Sequence, residues 1–265
     1  MATTKKRVLV TGANGAIGRV LMERLADRYD LRALTRTEVE FPSHIADVSD
    51  LVAILPAFEG IDAVVHMAGS SAVDSPWEAV LQSNLIGAYH IFEAARIAKV
   101  PAVVFASSNH AIGEYELEGA PDLYRLDDPR VYDHTVEVRP DSLYGVSKIY
   151  GEALGRFYHD RYGIRVYNLR IGSMLEDDDP RSPAIARASS WLKLEPAHAY
   201  ARYRATWLSQ RDCAELVACC IDAEDVDWAV VYGISDNPRQ FWDITHAFDL
   251  LGYTPEDSAP IGEEP

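Results

Sequence analysis

The sequence predicts an α/β protein built on a doubly wound parallel sheet, with a small C-terminal lobe for substrate. Three observations point there. Short uncharged apolar runs alternate with helix-spaced segments along most of the chain. A glycine-rich turn joins the first run to the first helical pattern. Two irregular polar stretches, 111–143 and 174–204, interrupt the rhythm and supply material for a lobe. Strands without charges, separated by helices, are what a parallel sheet covered on both faces requires.

The first strand is RVLVT (7–11). IGRVLMERLAD follows it, with Ile17, Val20, Leu21 and Leu25 at helical spacing. LRAL (31–34) is a second strand, DLVAILPAF is helix-like, and AVVHMAG (63–69) is a third strand. WEAVLQSNLIGAYHIFEAARIAKV reads as one long helix, AVVFASS (102–108) as a fourth strand, and SKIYGEALGRFYHDRYG as the next helix. RVYNLRIG (165–172) is a fifth strand, WLSQRDCAELVACCIDA a helix, and WAVVYGIS a further strand. The Pro-bearing stretch 111–143 reads as a long loop outside any core, and the acidic EDDDP run after it as solvated. The chain is expected to be a single domain over 1–265, its lobe formed mainly by 111–143 and 174–210 with parts of 233–265.

Composition narrows the function classes. The formal net charge of −16 repels phosphate backbones, which argues against a nucleic-acid partner. No apolar run reaches membrane-spanning length and no signal-peptide pattern precedes the first strand, so no membrane partner is expected. Cys213, Cys219 and Cys220 are odd in number, and the adjacent pair suits small apolar helix positions better than a disulfide framework or a metal site. A reduced, cytoplasmic protein is the expectation, with assembly into a homo-oligomer left open.

The chemistry begins at TGANGAIGR, where Gly12, Gly15 and Gly18 stand between strand and helix. Glycines there permit a tight turn and let the backbone approach a pyrophosphate, while the helix N-terminus offers N–H groups. An acidic residue at the end of the second strand would bind the ribose of NAD. This chain has Thr35 and Arg36 instead, and Arg36 suits a 2′-phosphate, so the cofactor is read as NAD or NADP. Asp47 and Val48 are placed at the adenine edge.

YGVSK then puts Tyr144 and Lys148 on one helix face. A nearby ammonium favours a phenolate, so the pair is expected to hold an acidified phenol that accepts a hydroxyl proton. Ser107 and Ser108 end the fourth strand, at the carboxyl edge where open parallel sheets bind ligands, and Ser108 is preferred as the third member.

With these residues the glycine turn, HMAG, FASSNH, RPDSLYGVSK and LRIGS resemble the extended short-chain dehydrogenase/reductase superfamily over about residues 7–253. More narrowly, SSNHAIG, YGVSKIYGE, LRIGS, TWLSQRD and VYGISDN resemble uronate dehydrogenases and related single-domain sugar-phosphate dehydrogenases. The resemblance implies a Rossmann sheet and oxidation of a sugar at its anomeric carbon by Ser108, Tyr144 and Lys148. It implies a cofactor surface of Gly12, Asn14, Gly15, Ala16, Ile17, Gly18, Arg36, Asp47, Val48, Ala68, Gly69, Ser70 and Ile171, together with Tyr144 and Lys148. Ser71, Ser108, Asn109, His110 and Ser173 would hydrogen-bond the sugar, and an arginine just before TWLS would hold a substrate carboxylate, Arg202 or Arg204, with Arg202 preferred from its spacing to Thr206.

The chain departs from that pattern in a longer loop before YGVSK and in the insertion SPAIARASSWLKLEPAHAY. Arg187 within that insertion and Arg181, Arg202 and Arg204 beside it suggest an anion pocket, since arginine pairs bidentately with carboxylate or phosphate. Trp191, Trp207 and Trp242 read as packing residues, His66 as a core histidine, and Asn84 as a backbone brace. The resulting expectation is an NAD(P)-dependent dehydrogenase converting an anionic sugar, a hexuronate, to a lactone. A hexose 6-phosphate substrate and a nucleotide-sugar epimerase or dehydratase are the alternatives.

Overall fold

The computed structural model describes residues 5–185 and 190–261. Among them the strands form one parallel sheet. β1 (Arg7–Thr11), β2 (Asp30–Thr35), β3 (Ser43–Ile45), β4 (Ala63–His66), β5 (Ala102–Ser108), β6 (Arg165–Ile171) and β7 (Trp228–Gly233) lie in the order β3-β2-β1-β4-β5-β6-β7. The chain builds outward from β1 to β3, then returns to the other side of β1 to lay down β4 onward. That reversal opens a crevice beyond the ends of β1 and β4, the usual ligand position in such sheets.

Alternating side chains of each strand feed two separate cores. Val8, Val10, Val65, Val104 and Leu169 pack on one face with α1 (Ala16–Arg24) and the helix Gln210–Asp222. Leu9, Val64, Val103 and Val166 pack on the other with Phe58, Ile91, Phe92 and Tyr158. Both faces are therefore dry, which is why the strand sequences carry no polar alternation.

The remaining helices follow in chain order. α2 (Leu51–Ile54) runs into a 3₁₀ turn at Leu55–Phe58. α3 (Trp77–Ala79) passes through a π-turn over Val80–Ile86 into α4 (Gly87–Ala98). α5 (Glu114–Gly119) lies in the polar stretch, and α6 (Leu143–Tyr162) is capped by the Ser142 side chain and ended by Gly163 in the left-handed region. α7 (Pro196–Thr206), α8 (Gln210–Asp222) and α9 (Thr245–Leu251) complete the set. Cys213 and Cys220 are buried on α8 and Cys219 is half-buried, with burial raising each thiol, in keeping with apolar helix positions.

Three expectations need correction. β3 is absent from the sequence reading, because SHI is short and largely solvent-facing and gives no apolar signal. The stretch 111–143 is not outside the core. Ile112, Leu123 and Tyr124 pack with Tyr232, Phe241 and Trp242 in a third apolar cluster. The stretch 174–204 is not irregular throughout, since α7 occupies 196–206 and buries Ala199, Tyr200 and Tyr203 in a fourth cluster with Ile185 and Trp207.

His66 is the core histidine expected. Its Nδ1 lies 2.8 Å from Thr11 Oγ1, whose oxygen also accepts from the Ala68 N–H. The two side chains share one hydrogen bond, and burial keeps the ring neutral. Burial, aided by the Lys148 charge, pushes its pKa down to about 3. The unfolded chain takes up this proton near pH 6.5, so the contribution to stability is complete above that pH and is lost as pH falls towards 3. Replacement by Gln is expected to flatten the decline of the urea midpoint between pH 6.5 and 3; an unaltered slope would assign the acid sensitivity to other groups.

Candidate active site

Two adjoining cavities occupy the crevice. The larger, about 520 Å³, runs from the glycine turn past Tyr144 and Lys148 to Trp191, Arg202 and Tyr203. The smaller, about 210 Å³, extends from the same turn over Thr35, Arg36, Asp47 and Val48. Every residue assigned from sequence to cofactor or sugar lines one or the other.

The glycine turn is shaped for a close ligand. Gly12 has φ +67°, and a Cβ there would stand 2.7 Å from the Ala68 nitrogen. A Cβ at Gly18 would meet the Gly12 carbonyl oxygen at 2.1 Å. α1 starts at this turn with no side chain capping it and no acid in its first turn, so its N–H groups and positive end are left for an anion. These features fit a dinucleotide pyrophosphate. Arg36 lies on the rim of the smaller cavity, mostly exposed and 4.0 Å from Asp47. Hydrogen bonds from Ser49, with a lesser pull from Arg36, hold the Asp47 carboxyl below its usual range. Asn84 is the brace expected: its Oδ1 accepts from the Ser70 N–H, and its Nδ2 donates to the Ser70 carbonyl and to Ser147 Oγ.

The proton-handling group sits where α6 crosses the end of β5. Tyr144 falls in the first turn of α6 and Lys148 one turn later, both buried. The Lys148 ammonium donates to the Ala106 carbonyl at 2.7 Å and lies 5.1 Å from the Tyr144 ring centroid. Burial lowers Lys148 to about 8. Tyr144 departs from expectation: burial, with the Asp141 charge added, pushes it up to about 12 against hydrogen bonding from Ser108. The pair as it stands is a phenol raised by burial beside an ammonium that donates to a backbone carbonyl, and not an already acidified phenol.

The two serines separate clearly. Ser107 Oγ donates to Glu152, itself held by Arg170, which ties this hydroxyl into a buried network. Ser108 faces Tyr144, donates to Asn109 Oδ1 and accepts from the His110 N–H. Asn109 lines the cavity and is buried, with its Nδ2 unpartnered. His110 Nδ1 is 2.6 Å from the buried Asp141 carboxylate, which orients the ring. Gly113 makes room for that carboxylate, since a Cβ there would overlap Asp141.

At the far end Ser173 Oγ contacts Thr206 Oγ1 at 2.8 Å and receives Arg202 Nη1 at 3.4 Å. Of the four arginines named above, Arg202 alone among the described residues lines this cavity. Arg181 is exposed, Arg204 turns back to the Tyr200 carbonyl, and Arg187 lies outside the described residues. Trp207 and Trp242 are packing residues, but Trp191 is not only that. Its ring lies 5.4 Å from the Arg202 guanidinium and meets His110 edge-on at 5.1 Å, on the cavity wall. Asp141, Glu116 and Trp191 were missed as site residues. The DS of RPDSLYG, following the NHAIG string by about thirty residues, carried no sequence signal for its pairing with His110.

The NAD dependent epimerase/dehydratase family matches residues 8–225. An NAD-dependent glucose-6-phosphate dehydrogenase of Haloferax volcanii is 40% identical over 95% of this chain and 94% of its own length. An L-arabinose 1-dehydrogenase (NAD(P)(+)) of the same organism is 39% identical over 96% and 97%. The crystal structure of uronate dehydrogenase from Agrobacterium tumefaciens superposes with a TM-score of 0.79 at 35% identity, covering 96% of this chain and 85% of that one.

Gly18→Ala is expected to weaken NAD binding at least about tenfold, because the new methyl group displaces the turn backbone. Calorimetric titration checks this; unchanged affinity would detach the turn from the cofactor.

Proposed function

Since the chain belongs to the NAD dependent epimerase/dehydratase family, we propose that it is an NAD(P)-dependent dehydrogenase oxidising the anomeric C1 hydroxyl of an anionic sugar, a hexuronate, to its lactone. One observation carries this reading. A single cavity joins the glycine turn, the Ser108–Tyr144–Lys148 group and a pocket ending in Arg202. A hexose 6-phosphate is the second reading, favoured by 40% identity to the glucose-6-phosphate dehydrogenase.

When bound, the oxidised nicotinamide supplies a hydride acceptor and a positive charge. Gly12, Gly15, Gly18 and the start of α1 would hold the pyrophosphate, with Ala68, Gly69, Ser70 and Ile171 lining its path. Arg36, mostly exposed at the rim, supports use of NADP as well as NAD. Ser108 positions the C1 oxygen by hydrogen bonding. Tyr144 takes the proton from that oxygen, and Lys148 favours the resulting phenolate. With Tyr144 near 12 and Lys148 near 8, Lys148 keeps its proton at neutral pH. A further positive charge nearby then lowers the cost of the phenolate. Ser71, Asn109, His110 and Ser173 offer hydrogen bonds to the sugar hydroxyls.

Glucuronate, galacturonate, glucose 6-phosphate, glucose and arabinose, each with NAD and NADP, test the reading by absorbance of the reduced cofactor. Reduction with a sugar acid or sugar phosphate is expected; none with glucuronate, galacturonate or glucose 6-phosphate would overturn it. Tyr144→Phe is expected to lower kcat by about three orders of magnitude while cofactor affinity stays within about threefold. Turnover like the parent's would remove Tyr144 from the reaction.

A further inference from the structure

We propose that Glu116 is a specificity-determining residue: its buried carboxylate neutralises Arg202, so the sugar site does not require an anionic group and accepts uncharged aldoses alongside sugar acids. The inference rests on the dehydrogenase reading and sharpens its substrate class.

Glu116 is carried by α5, in the polar stretch, and reaches Arg202 on α7 across 86 residues of sequence. Arg202 Nε and Nη2 meet Glu116 Oε1 and Oε2 at 2.5 and 3.2 Å. This is the side-on fork by which arginine binds a carboxylate. The Glu116 side chain is 0% exposed and that of Arg202 is 4% exposed, so water does not screen the pair. Tyr124 donates its hydroxyl to Glu116 Oε1 at 3.1 Å, which leaves the carboxylate well satisfied.

What the cavity sees of Arg202 is therefore limited. Its side-on carboxylate-binding edge is taken by Glu116, Trp191 lies against one face, and Nη1 on the remaining edge points to Ser173. A substrate group arriving there finds a hydrogen-bond donor whose positive charge is already balanced by a negative one behind it. For a sugar hydroxyl this is an adequate partner. For a substrate carboxylate the attraction of Arg202 is largely cancelled by Glu116, with the buried Asp141 adding to the repulsion. Discrimination between the two substrate classes is a difference of these terms, and Glu116 reduces it.

The test compares kcat/KM for glucuronate with that for glucose in the parent, in Glu116→Gln, and in the double variant Glu116→Gln/Arg202→Gln. Calorimetric Kd values for both sugars, with reduced cofactor bound, are measured on the same proteins. Glu116→Gln keeps the shape but removes the charge, so the glucuronate-to-glucose ratio is expected to rise at least tenfold. In the double variant two uncharged side chains replace a pair whose opposite charges cancel, and the ratio returns to within about threefold of the parent. The double variant decides the matter even if the single one fails to fold. A simple carboxylate clamp at Arg202 would instead lower its ratio tenfold or more. That result, or an unmoved ratio in Glu116→Gln, overturns the inference. If the Kd ratios move as expected while no protein reduces cofactor, the dehydrogenase reading falls and the role of Glu116 stands.

Discussion

The site depends on the close approach of α6 to the end of β5. A Cβ at Gly151 would stand 2.0 Å from the Phe105 ring, and one at Gly145 would stand 2.3 Å from the His110 carbonyl oxygen. Only with glycine at both positions does the helix come near enough for Lys148 to reach the Ala106 carbonyl and for Tyr144 to face Ser108. Strand and helix are each ordinary. Their contact turns the strand's carboxyl end into a place where a hydroxyl, a phenol and an ammonium meet.

Burial sets the electrostatics of everything around that contact. The phenol is raised and the ammonium lowered for the same reason, removal from water. Two buried ion pairs, Glu152–Arg170 and Glu116–Arg202, and the Asp141–His110 hydrogen bond lie around the site. Such pairs add little net stability, yet breaking one from one side costs about 3–5 kcal/mol, so they hold geometry firmly. Glu152–Arg170 occupies Ser107 and leaves Ser108 to the cavity. Asp141 aims His110. Glu116 decides how much charge Arg202 presents.

Much of this was legible in the sequence where local chemistry speaks alone. The uncharged strands, the spacing of Gly12, Gly15 and Gly18, and the four-residue step from Tyr144 to Lys148 carry their meaning without tertiary knowledge. All the residues assigned from them line the two cavities. What could not be read depends on partners distant in sequence. Tyr144 is raised because of what encloses it, and no spacing rule reports enclosure. Glu116 looks like one more acid in a polar stretch until α7 brings Arg202 against it. Trp191 lies in an insertion, where an aromatic residue gives no sign of which wall it joins. β3 failed for the opposite reason: three largely exposed residues leave no pattern to find.

The central claim is that a hydride leaves the anomeric carbon of a sugar beside Tyr144. Its most direct test uses glucuronate carrying deuterium at C1, with NMR of the cofactor and the sugar after turnover. The account predicts deuterium at C4 of the reduced nicotinamide and a lactone as the first sugar product. Deuterium kept in a sugar that has only changed configuration, with no reduced cofactor accumulating, would contradict it.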